Sequence, residues 1–113
     1  SGLAQDEAIA EWLWNNQVAL AAADNVALEA WPANRDVIQT RAEQDGSLEK
    51  SSHTGMLHRI LIPLLGLTIG ELWDLDELAI ACLERKRYDC LITAEPLNLR
   101  GGVGSPANAL AII

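Results

Sequence analysis

The fold class predicted by this sequence is α/β, in the mixed α+β sense of helices interleaved with short strands. Three observations predict it. Apolar residues recur at helical spacing over residues 6–17, over 54–65 and from Asp74 to the Arg85-Lys86-Arg87 cluster. Short apolar or alternating runs at 18–23, 67–70, 88–92 and 109–113 suit strands. Of the 113 residues, 50% are hydrophobic and 21% charged, which is normal for a packed core and excludes wholesale disorder. The length suits a single region, 1–113.

The first helix rests on Ile9, Trp12 and Leu13, with Asp6 and Glu7 in its first turn. Trp14 lies off that face and suggests a partner contact. Asn15-Asn16 weakens the helix, so Val18 to Ala23 reads as a buried strand closed by Asp24-Asn25. Residues 32–53 are polar and turn-rich, with Val37, Ile38 and Leu48 out of any clean period. They read as a loop or excursion.

Met56, Leu57, Ile60, Leu61, Leu64 and Leu65 form a strong helical stripe. Pro63 must kink or shorten that helix, and Gly66 is a natural stop. Leu67 to Gly70 suits a strand or extended crossing. Asp74, with Glu77 three residues on, predicts a capped helix with Leu75, Leu78, Ala79, Cys82 and Leu83 on one face. The basic cluster at 85–87 fits the negative end of that helix. Tyr88, Cys90 and Ile92 alternate as a strand, Pro96 ends it, and Ala109 to Ile113 suits a buried strand. The two cysteines match neither a CxxC pair nor a zinc knuckle and read as buried free thiols.

Charge excludes some functions. Sixteen acidic residues against eight basic ones give a net charge of -8, a surface that repels phosphate backbones, so no nucleic-acid partner is expected. The longest apolar run, Ile60 to Leu67, is far short of the roughly 20 residues of a membrane-spanning helix. No basic n-region or long apolar stretch marks a signal peptide, and a cytoplasmic location is expected.

Three features could carry chemistry. The run Gly101-Gly102-Val103-Gly104-Ser105-Pro106 fits neither GxxxxGK[ST] nor GxGxxG, and a strand rather than a helix follows. It reads as a tight turn, or as a pocket wall where absent side chains let a ligand approach. His53 and His58 stand about 140° apart on a helix, a poor chelating pair. His53 reads as solvated. His58 flanks the apolar stripe, either as a hydrogen-bonded core residue or as a ligand. Glu71 sits in Thr68-Ile69-Gly70-Glu71-Leu72-Trp73, far from any charge run. A buried carboxylate is costly unless it is paired or holds a metal, so Glu71 is a bridge at a strand end or a ligand. His58 and Glu71 would supply two ligands of a zinc or manganese site, with Asp24 a remote third.

The blocks Leu57-His58-Arg59-Ile60-Leu61, Leu67 to Trp73 and Pro96 to Pro106 together resemble the C-terminal half of the cyclase family that includes kynurenine formamidase and isatin hydrolase. Ala23 to Glu29 is similar to a further block. The resemblance implies a swivelling β/β/α fold and metal-dependent hydrolysis of an amide or cyclic amide bond, with zinc or manganese as cofactor. It implies catalytic and metal-binding roles for His58 and Glu71, which match a family helix histidine and a downstream glutamate. It implies a substrate-pocket role for Gly101, Gly102, Gly104 and Ser105.

The family's N-terminal metal motif, HxGTHxDxPxH, is absent, and His53-Thr54-Gly55 does not replace it. The chain therefore reads as the C-terminal part of a longer hydrolase, inactive alone. Its partners would be a small-molecule amide substrate and either a second copy or the missing N-terminal part. The competing reading is a non-catalytic binding or assembly domain that retains the fold.

Overall fold

Asp6 opens the first helix, its side chain accepting from the Ala8 amide at 2.9 Å. The computed structural model describes residues 2–113. Helix α1 spans Glu7–Asn15. It ends as Asn15-Asn16 suggested, with Gln17 in the left-handed region at φ 57° and Val18 N–H returning to the Leu13 carbonyl at 3.1 Å. Its buried face carries Ala10 and Leu13, with Ile9 partly covered. Trp12, expected on that face, is turned outward, because Ala10 rather than Trp12 flanks the Ile9–Leu13 line on the core side; Trp14 is exposed as well.

Strand β1 (Leu20–Ala22) pairs in parallel with β2 (Thr68–Gly70), Leu20 opposite Thr68 and Ala22 opposite Gly70. The pairing runs on past the strands. Ala23 N–H bonds the Gly70 carbonyl, and Leu72 and Trp73 N–H bond the carbonyls of Asn25 and Ala23. This lays residues 70–73 along 23–25.

Helix α2 (Arg41–Gln44) lies inside the segment read as loop. Thr40 caps it in a full capping box with Glu43. Helix α3 covers only His58–Leu61, much less than the stripe over 54–65 suggested. Gly55 explains the late start. Its φ is +94°, and a Cβ there would lie 1.9 Å from the Asn34 carbonyl oxygen. Pro63, without an N–H, explains the early end. The chain then closes at Gly66 (φ 67°), with Leu67 N–H bonded to the Leu61 carbonyl at 2.8 Å.

The core joins Ala10, Leu13, Leu28, Leu57, Leu61 and Leu67. Leu57 and Leu61 are fully buried. These elements make one compact unit, Ser1–Trp73, and Asp74–Ile113 makes a second.

In the second unit, α4 spans Asp76–Arg85 and begins one residue later than expected. Leu75 takes the cap position and offers no side-chain bond, while the Asp74 carboxylate accepts from the Asp76 amide at 3.4 Å. Glu77 is then the second helical residue, too early to close a capping box. Lys86, in the left-handed region, ends the helix among the basic residues. No α4 residue is buried, contrary to the expected apolar face. Strands β3 (Leu91–Thr93) and β4 (Leu110–Ile112) pair antiparallel, and every residue of both is exposed. The buried C-terminal strand is thus corrected to an exposed one. Cys82 and Cys90 are free and half-buried rather than buried. The architecture is α+β. Among the described residues no helix is long and apolar enough to cross a membrane.

Candidate functional site

His58 is the first residue of α3. Leu57 and Leu61 anchor that helix in the core, and the neighbouring position leaves the imidazole at the core's edge, 24% exposed. Glu71 follows β2. The backbone bonds between 70–73 and 23–25 bring it beside Leu28, whose N–H donates to Glu71 Oε1 at 2.7 Å. The two residues singled out in the sequence therefore meet. His58 Nε2 lies 3.1 Å from the same Glu71 oxygen.

A third group completes the cluster. His58 Nδ1 lies 2.7 Å from Oε1 of Glu29, a residue with no exposed surface. The imidazole is thus held between two carboxylates, one at each nitrogen. The hydrogen bond to Glu29 and the charges of Glu29 and Glu71 raise the His58 pKa above its usual 6.5, and burial only partly opposes them. Glu29 was missed as a functional candidate because Leu28-Glu29-Ala30 carries no motif. The only signal was its place in the Ala23–Glu29 block.

Val26, Ala27, Trp31 and Met56 join His58 and Glu71 around a cleft of about 260 Å³. Two larger hollows, of about 550 and 710 Å³, contain neither His58 nor Glu71. Size alone does not make them the site, since the convergent polar groups are in the small one.

The remaining candidates are His53, Asp24 and the glycine loop. His53 is exposed, as expected, and so is Asp24. Gly101, Gly102, Gly104 and Ser105 belong to the second unit. There Gly101 takes φ +79°, and Gly102 N–H bonds the Leu99 carbonyl at 2.9 Å. The Ser105 hydroxyl accepts from Leu97 N–H at 2.8 Å and donates to the Pro106 carbonyl at 3.0 Å, so it pins the loop.

The donor chemistry bears on the metal. A neutral imidazole has one proton for two carboxylates, so one nitrogen faces an oxygen across a gap that favours a cation. A proton can fill that role, and so can a divalent ion ligated by both atoms. Glu29 on the far nitrogen is the outer partner commonly found behind a metal-binding histidine. His58 and Glu71 therefore fit as two ligands. Among the described residues no group of three His, Cys, Asp or Glu side chains is placed to hold an ion.

No family model matches the chain, and no curated protein matches it. A solved crystal structure does. The chain is similar to a protein described as a novel cyclase. The two share 34% of their sequence over 91% of this chain, with a TM-score of 0.66. The similarity spans 28% of that cyclase's length.

Proposed function

We propose that this chain is the C-terminal part of a cyclase-family hydrolase and contributes His58 and Glu71 to a divalent-metal centre acting on an amide or cyclic amide bond. The observation that carries the reading is the 3.1 Å approach of His58 Nε2 to Glu71 Oε1, with Nδ1 turned away onto Glu29. Similarity to the cyclase over 91% of the chain supports it.

In this reading His58 offers Nε2 and Glu71 offers Oε1 to one ion, zinc or manganese. An ion held by His58 and Glu71 would supply Lewis acidity to the scissile carbonyl and acidify a nearby water. The Leu28 amide holds the Glu71 oxygen in place. Val26, Ala27, Trp31 and Met56 offer apolar surface to the non-reacting part of the substrate. Further ligands would come from a stretch of the HxGTHxDxPxH type. The Gly101–Ser105 loop would shape the substrate pocket in the complete enzyme.

Zinc affinity tests the ligand assignment in the chain, its His58→Ala variant and its Glu71→Ala variant, by titration calorimetry. Each variant is expected to bind at least about tenfold more weakly. Equal affinity in all three refutes the assignment. The coding sequence upstream gives a separate test of the fragment reading. HxGTHxDxPxH is expected there, and a natural start codon immediately before Ser1 would sink it.

A surface observation adds association to the proposal. Trp12 and Trp14 project from the same helix, 60% and 62% exposed. Large apolar side chains left exposed on one helix suit contact with a second copy or the remainder of the enzyme. Light scattering should give a mass well above 12.2 kDa. A well-folded monomer at high concentration contradicts the second-copy arm.

A further inference from the structure

Glu29 is buried to 0% exposure, yet its Oε2 has no hydrogen-bond partner among the described residues. A buried carboxylate with one oxygen unsatisfied is costly, so its presence is poorly explained by stability. Its surroundings hold it rigidly. Leu3 N–H bonds the Leu28 carbonyl at 3.0 Å, and Ala30 N–H bonds the Leu3 carbonyl at 2.9 Å. Gly2 approaches so closely that a Cβ there would lie 2.4 Å from the Glu29 carbonyl carbon. The preceding residue, Leu28, donates its amide to Glu71. One fixed segment therefore grips both members of the candidate pair, Glu71 through the backbone and His58 through a side chain.

We propose that Glu29 is a positioning residue, which keeps the neutral His58 proton on Nδ1 and presents the Nε2 lone pair to the point shared with Glu71. The inference rests on the reading of His58 and Glu71 as metal ligands. Neutral imidazole has one proton and two carboxylate neighbours here. The Glu29 contact is the shorter, 2.7 against 3.1 Å, and involves the more deeply buried carboxylate. Low local dielectric strengthens that bond, so Nδ1 should win the proton. A carboxylate on Nδ1–H also makes the opposite nitrogen a more basic ligand.

The chain has two histidines, so imidazole nitrogen spectra are simple, and exposed His53 is an internal reference. Long-range proton–nitrogen correlation spectra, taken well above the imidazole titration range, report the tautomer directly. The unaltered chain is expected to show His58 as the Nδ1–H form. Glu29→Gln keeps the size but loses the charge. It should shift His58 towards the Nε2–H form and weaken zinc binding roughly 10- to 100-fold. Glu29→Asp keeps the charge but withdraws it by one methylene, and should give a smaller change in both readouts.

An unchanged His58 tautomer in Glu29→Gln overturns the proposal. If that variant does not fold, Glu29→Asp decides, and an unchanged tautomer there is equally fatal. Failure of the unaltered chain to bind zinc would overturn the metal reading instead. The nitrogen spectra would still decide whether Glu29 sets the tautomer.

Discussion

His58 stands between a fully buried carboxylate and a half-exposed one, and the two do not act equally. The hydrogen bond that His58 donates to Glu29 is the largest influence raising its pKa, and Glu71 raises it less. Replacing Glu29 by Gln should therefore lower the His58 pKa more than replacing Glu71 by Gln. Proton NMR titration checks this, with His53 as reference, and the reverse order would contradict it. His58 could be picked out in sequence because it flanks an apolar stripe, and Glu71 because it is an acid within an apolar run. Glu29 could not. Its burial is created by residues far along the chain, Leu3 and His58, and nothing in its own neighbourhood records them.

At the scale of elements, the segment 32–53 is braced rather than free. Glu43, buried to 5% exposure, accepts from Thr54 Oγ1 at 2.5 Å and meets Arg59 Nη1 at 3.0 Å from both oxygens. Thr40 adds bonds from its amide and hydroxyl. With the Thr54 bond as the largest cause, these interactions lower the Glu43 pKa from 4.5 to about 2. A carboxylate with a depressed folded pKa stabilises above its unfolded pKa, and that contribution disappears as pH falls through the folded value. Stability should fall as pH drops from about 4.5 towards 2, and Glu43→Gln should flatten that part of the profile in thermal melts.

Gly55 is the second brace. With φ +94° and no room for a Cβ against Asn34, Gly55→Ala should cost at least about 2 kcal/mol in denaturant unfolding. The Thr40–Glu43 capping box was present in the sequence, three residues apart, yet the segment read as loop. Periodicity finds helices by their apolar faces, and a single turn closed by polar bonds has none.

At the scale of the whole chain, Leu57 and Leu61 are the fully buried centre of the first unit. Leu61→Ala should cost about 2–5 kcal/mol, a large share of the stability of so small a unit, with a matching drop in denaturant midpoint. The chain corresponds to 28% of the cyclase it resembles. In the first unit Trp12 and Trp14 are exposed, and in the second every residue of β3 and β4 is.

Apart from α2, the order of helices and strands was legible from spacing, since amphipathic periods and Gly and Pro stops are local properties of the chain. His58 and Glu71 stood out by their apolar surroundings, and the family resemblance gave them their roles. Their meeting was not legible. It depends on a parallel pairing of Leu20–Ala22 with Thr68–Gly70, made between segments almost fifty residues apart. Only that long-range pairing lays Glu71 against Leu28, and only the burial of Leu57 and Leu61 turns His58 towards Glu29. Spacing determines which face a side chain occupies. Which side chains meet across the core is decided by packing, because that depends on the whole set of contacts at once.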